Sequence, residues 1–308
     1  MKQTLLVILT WGCISHSAAG SPSGASWMSM PTDAHSAALA GGVGACCGGV
    51  EAFGVNPAGL SDTNGTEVLL THAFWAQDVS LEHLGVARRM GERWSLGISA
   101  DYVSYGLIDG YDVVNGAPVA NGVLRPNDLA VGLGGGVRIS REISVGAQAK
   151  MLTDDLGPVK GSTAAGDIGG SFTSKGLKFG LSVENVGGKL NEASLPTMGI
   201  LAASYRIPLV ESARNSGGAH QDLGVMAQGD LGLIDSRLNA FEVGAEYRYA
   251  EVLALRAGYC GAKYSDSTGL SGLTVGVGVT VKKIEVSYAL VTLGDFGKSN
   301  LLSLKAGF

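Results

Sequence analysis

The stretch GLTVGVGVTV, residues 272–281, decides how this chain is read. Leu273, Val275, Val277, Val279 and Val281 fall on one side of an extended backbone, and Gly272, Thr274, Gly276, Gly278 and Thr280 on the other. Side chains alternate across a β-strand with a period of two, so the stretch is a strand with one apolar face and one small, polar face. The run Thr274 to Gly278 resembles a potassium-channel filter only superficially, because no membrane helices flank it. The pattern recurs along the chain. Trp94, Leu96, Ile98, Ala100 and Tyr102 oppose Ser95, Gly97, Ser99 and Asp101, and Phe241, Val243, Ala245, Tyr247 and Tyr249 oppose Glu242, Gly244, Glu246 and Arg248.

From residue 66 to residue 308 about fourteen such segments follow one another, separated by turn chemistry. The first covers residues 66–75, and the last, 300–308, closes on Phe308. Segments of about nine to twelve residues match the length of a tilted membrane strand and exceed the five or six usual in soluble sheets, which weighs against a β-sandwich. An even count is what a single-chain outer-membrane barrel requires, and such barrels alternate short turns with long loops. Residues 106–127, 153–162, 188–196 and 263–270 supply long connections, whereas Gly91-Glu92, Ser140-Arg141 and Lys282-Lys283 are short. Residues 208–220 break the alternation, implying either an insertion in a turn or a miscounted strand pair. The fold class is thus all-β, a transmembrane antiparallel barrel over residues 66–308.

Composition agrees. Glycine supplies 48 of 308 residues, roughly twice its usual share, and charged residues only 16%. Met1-Lys2-Gln3, the apolar run to Ile14 and Ser17-Ala18-Ala19-Gly20 read as a signal peptide over residues 1–20, so the mature chain is exported. Loss of Lys2 takes the net charge from −5 to −6, too acidic for a nucleic-acid partner. Cys46, Cys47 and Cys260 then remain, an odd number that supports no disulfide framework and reads as plug and strand residues. The histidines are scattered; His72 and His83 fall on adjacent segments, but ordinary strand positions explain them better than metal ligation. No nucleophile elbow or fixed carboxylate pair appears, so no enzyme, catalytic residue, metal or cofactor is expected.

Residues 21–65 differ from all that follows. Asp33 to Ala40 reads as a capped short helix ending at Gly41-Gly42, and residues 43–55 are too small and glycine-rich to build a core. A segment that cannot fold alone needs an enclosure, and the barrel lumen offers one: residues 21–65 are expected to form a plug. Gly134-Gly135-Gly136, mid-strand, marks close backbone or plug contact. Asn56-Pro57 reads as a stop between plug and wall, and Gly59 with Asp62 to Gly65 as the hinge.

DAHSAALAGGVGA, then GVEAFGVNPAGL, then an alternating strand resembles the FadL-like outer-membrane family, in its PorV/PorQ-type branch. The resemblance covers residues 33–60 as a motif and the remainder as architecture. It implies a bacterial outer-membrane location and passage of a hydrophobic ligand such as a long-chain fatty acid, bound between plug and wall and released when the plug moves. Asn56, Pro57 and Ala58 carry over as plug-motif residues with a gating role, and Gly97 as a kink that would allow sideways exit; no ligand-binding residue carries over. The implied partners are outer-membrane lipid and the barrel assembly machinery, for which an alternating strand ending on Phe308 looks like the signal, and the chain is expected to be a monomer. Two alternatives stand beside transport: a PorV-like accessory barrel that binds secreted proteins, and a general porin for small polar solutes. Trp94, Tyr102, Tyr247, Tyr249, Tyr259 and Tyr288 are the candidates for interfacial aromatics.

Overall fold

The computed structural model describes residues 23–210, 220–235, 239–261, 271–294 and 297–308. Its strands are β1 (Thr66–Phe74), β2 (Ser80–Arg89), β3 (Trp94–Ser104), β4 (Ile108–Val114), β5 (Ala117–Leu124), β6 (Asn127–Arg138), β7 (Ile143–Asp155), β8 (Lys160–Ser174) and β9 (Leu177–Gly187). They continue with β10 (Lys189–Leu190), β11 (Ala193–Ser194), β12 (Met198–Val210), β13 (Gln221–Gly232), β14 (Ala240–Tyr249), β15 (Leu253–Gly261), β16 (Leu273–Val281), β17 (Ile284–Thr292) and β18 (Lys298–Gly307). Fourteen of them close into one antiparallel barrel, each beside its neighbour in sequence, with β1 returning to β18. The hairpins β4–β5 and β10–β11 stand apart, inside connections at one end of the wall. Among the described residues no helix is long and apolar enough to cross a membrane.

Strand β6 shows why the chain folds this way. Leu129, Val131, Leu133 and Val137 are exposed on the outer surface, while Asp128, Ala130, Gly132, Gly134 and Gly136 are buried toward the lumen. An aqueous exterior would penalise such a surface, and a hydrocarbon exterior rewards it. The aromatic side chains collect near the two rims. Trp94, Phe172, Phe179, Tyr205 and Tyr249 are exposed near the end with short turns, and Phe74, Tyr102, Phe241 and Tyr259 near the end with long loops. Of the other two candidates, Tyr288 is exposed midway along β17 and Tyr247 is half-buried, donating to Gln221 Oε1.

The irregular connection at 208–220 is resolved by the ladder. Strand β12 pairs directly with β13 from Met198↔Gly232 to Val210↔Gln221, so no strand pair is missing, and the register shifts at Pro208. Pro208 is tolerated because β9 begins only at Leu177, opposite Tyr205, leaving no β9 acceptor for the N–H that proline lacks. Residues 211–219 lie outside the described residues, as does the signal peptide expected over 1–20.

The lumen is occupied. Residues 23–65 run through it as 3-10 turns at Ser26–Ser29, Gly49–Gly54 and Pro57–Asp62 and one short helix, α1 (Ala34–Ala38). Asp33 caps α1 by accepting from Ser36 N at 2.8 Å. Leu39, Val43, Val50 and Leu60 are fully buried, so this segment gains from the barrel the apolar burial it cannot make alone.

The lipid-facing assignment has a direct test. Ile98 and Leu133 are cross-strand partners and both are exposed in mid-wall. Leu133→Arg is expected to cost about 2–4 kcal/mol and to shrink the fast-migrating folded band of an unheated sample in gel electrophoresis. Ser99→Ala, inside the lumen, should leave that band intact.

Candidate functional site

The plug threads the barrel from one end to the other. At the long-loop end Gly24 N donates to Ser194 O at 2.8 Å, and at the short-turn end Gly65 O accepts from Arg89 N at 2.8 Å. A segment with so little regular structure leaves many backbone groups without internal partners, and each must find one before it can be buried. The wall supplies them. Ser303 Oγ accepts from Ala34 N (2.8 Å), Gln228 Oε1 from Gly44 N (2.8 Å) and Glu67 Oε2 from Val50 N (3.0 Å), while Thr274 Oγ1 donates to Ala38 O (2.8 Å). The Ser, Thr, Gln and Glu on the inner strand faces are therefore the plug's missing hydrogen-bond partners.

Asn56-Pro57-Ala58 packs closely against the wall. Asn56 Oδ1 accepts from Ala58 N at 3.0 Å, capping the turn that Pro57 opens, and Asn56 Nδ2 donates to Gly44 O (3.1 Å) and Gly170 O (3.2 Å). The pair therefore starts a turn of 3-10 helix rather than acting as a bare stop before the strand: proline suits a first helical position because its absent N–H is not needed there. The wall has glycine at the two points of contact. A Cβ on Gly146 would lie 2.1 Å from Pro57 O, and one on Gly169 2.1 Å from Asn56 Oδ1.

A charge network fastens the middle of the plug. His35 Nδ1 lies 3.4 Å from Glu51 Oε2 and its Nε2 lies 3.4 Å from Glu246 Oε2 on β14. Arg256 on β15 joins Glu246 (2.7 Å) and Glu285 on β17 (2.8 Å), and Lys305 on β18 reaches Glu51 (3.3 Å). Burial and the Arg256 guanidinium oppose a charge on His35, but Glu51 and Glu246 outweigh them and raise its pKa to about 10. Burial likewise works against an ionised Glu51, yet Lys305 and His35 hold its carboxyl well below the usual range. Asp33 goes the other way, raised by burial and then by Glu51. Nearer the short-turn end Asp62 is clamped between Lys178 (3.0 Å) and Arg138 (2.8 Å).

The sequence did not bring His35, Cys47 and Glu51 together, yet their donor atoms lie within 4.8 Å of one another. Donors of this kind bind metals, but here Lys305 and Glu246 already engage the group. Cys46, Cys47 and Cys260 are not joined by a disulfide. His72 and His83 point to opposite sides of the wall, His72 toward Glu82 outside and His83 toward Asp101 inside, so they cannot share an ion. At Gly97 the ladder is unbroken on both edges of β3, and a Cβ there would lie 2.9 Å from the ring of Phe53. Gly134 likewise faces Phe53, and Gly136 faces Leu60 and Ser61, all of the plug.

Cavities lie along the plug, two of which bear on passage. The larger, about 600 Å³, is a vestibule at the long-loop end lined by Trp27, Met30, Trp75, Tyr105 and Leu156 together with Asp128 and Asp154. Its volume suits a small organic ligand. Beneath it, sharing Ser29, Met30 and Pro31, is a space of only about 70 Å³ between plug and wall.

Solved structures share this fold. The Ralstonia pickettii toluene transporter TbuX is 15% identical with a TM-score of 0.56, the match covering 90% of this chain and 98% of TbuX. The Pseudomonas putida toluene transporter TodX is 12% identical with a TM-score of 0.56, covering 88% and 95%. A Pseudomonas aeruginosa FadL homologue is 10% identical with a TM-score of 0.50, covering 93% and 98%. At these identities the likeness is one of architecture. No protein-family model and no curated protein matches the sequence.

The charge network makes plug docking depend on pH. His35 has its pKa raised from 6.5 to about 10, so its contribution is complete below pH 6.5 and vanishes as pH rises through 10. Glu51, lowered from 4.5, contributes above that value and loses its effect as pH falls, whereas ionised Asp33, raised from 3.8, works against docking. Hydrogen-exchange protection of plug amides is expected to drop roughly tenfold or more between pH 7 and 10. His35→Gln should abolish that alkaline slope and shrink the acid limb to the part that Lys305 maintains on Glu51.

Proposed function

We propose that the chain is a bacterial outer-membrane channel that admits hydrophobic small molecules, with the plug as its gate. The observation that carries this reading is the aromatic vestibule of about 600 Å³ set directly above a lumen that the plug fills. An apolar solute gains by leaving water for Trp27, Trp75, Met30 and Leu156, and the plug below blocks free diffusion of polar solutes. A general porin is poorly served by such a filled lumen. The names of two similar structures, toluene transporters, make monoaromatic hydrocarbons the first compounds to try.

On this reading Asn56, Pro57 and Ala58 hold the gate shut. Removing the Asn56 side chain deletes a cap and two further hydrogen bonds. Asn56→Ala is expected to weaken docking by about 1–3 kcal/mol and to raise uptake of labelled toluene into cells or liposomes several-fold. Equal uptake with and without the protein would count against transport, and an unchanged rate in Asn56→Ala against this part of the plug as the gate.

One feature favours a second reading, the PorV-like accessory barrel that binds exported proteins. The hairpin β4–β5 stands outside the wall with Tyr111, Val113, Val119 and Val123 exposed. An isolated two-stranded hairpin is marginal in water and gains stability from a partner. If residues 107–124 can be deleted with loss of a captured secreted protein but no change in toluene uptake, this second role holds alongside the first.

A further inference from the structure

Asp128 on β6 and Asp154 on β7 are direct cross-strand partners. Both are buried toward the lumen, and both line the vestibule. Side chains so placed lie about 5 Å apart at Cβ, where like charges repel. Each carboxylate has one oxygen held by the protein: Tyr105 Oη donates to Asp128 Oδ2 at 2.6 Å, and Asn191 Nδ2 to Asp154 Oδ2 at 2.5 Å. The other oxygen of each, Oδ1, has no protein hydrogen-bond partner. The indole N–H of Trp27, 6% exposed and on the same cavity, has none either.

Buried carboxylates are ordinarily neutralised by a cation or a full set of donors. Here the described residues lining the vestibule supply neither. Among the described residues lining the vestibule there is no Lys, Arg or His. Trp27, Trp75 and Tyr105 add aromatic surface, which attracts cations as well as apolar groups.

We propose that the vestibule selects an organic ammonium: an apolar, preferably aromatic body carrying a protonated amine that the Asp128–Asp154 pair neutralises. This rests on the channel reading above and names the class of solute it takes. A fatty acid is the opposite case, bringing another carboxylate to a site that already holds two. The long-chain fatty acid expected from the family resemblance is thus a poor match for this vestibule.

Three probes of one size separate the possibilities: 2-phenylethylamine, phenylacetate and ethylbenzene, titrated at pH 7 into the full chain in detergent micelles and followed by calorimetry. The amine is expected to bind at least roughly tenfold more tightly than phenylacetate. Asp128→Asn with Asp154→Asn should remove that preference. Because the wild-type comparison needs no variant, failure of the double variant to fold does not blunt the test; the single variant Asp154→Asn, checked for the folded gel band, is the second measurement. Phenylacetate binding as tightly as the amine, or a preference that survives in folded variants, overturns the proposal. If ethylbenzene binds and permeates without any preference for the amine, this inference fails and the channel reading stands; if none of the three binds, both fail.

Discussion

Glu67 to Phe74 of β1 pair with Gly307 back to Asn300 of β18, and with that seam made, no strand of the wall keeps an open edge. In hydrocarbon there is no water to satisfy an unpaired N–H or C=O, so a sheet can span a membrane only when it is closed. Closure forces one face of every strand inward, around a lumen too wide for short side chains to fill. Everything distinctive about the amino-terminal segment follows from that space. It is filled by chain, not by bulky strand residues, and the inner strand faces become small where the plug comes near and polar where its backbone needs partners.

The wall was legible in the sequence because lipid on one side and plug on the other write a period of two onto each strand. The pattern in residues 272–281 is the plainest case, and β16 follows it residue by residue. Legibility failed where that physical cause is absent. The β4–β5 hairpin has water on both faces, so its residues show no alternation and read as loop. Pro208 looks like turn chemistry because the sequence does not say that the β9 ladder stops short of it, at Tyr205↔Leu177. Asn56-Pro57 opens a turn of 3-10 helix where the sequence suggests a stop, since proline before a strand and proline opening a 3-10 turn look alike until the contacts are known.

The candidate site was far less visible. His35, Glu51, Glu246, Arg256, Glu285 and Lys305 come from the plug and from four different strands, and only closure of the barrel gathers them. Asp128 and Asp154 become neighbours through the β6–β7 register alone. Their hydrogen-bond donors, Tyr105 and Asn191, lie in two separate connections. No local spacing encodes such a group, whereas the plug motif, contiguous over a dozen residues, could be found by reading along the chain.

The plug enters at one rim and joins β1 at the other, so it is threaded through the ring and cannot be treated as a cork dropped into it. In synthesis it precedes all of the wall, while the seam that completes the ring uses the last strand made. Assembly must therefore wrap the sheet around a segment already lying along its axis, or else draw that segment through a finished hole lined with side chains. The first route needs no threading, and it gives the amino-terminal segment the part of a mandrel, setting the circumference on which the sheet can close.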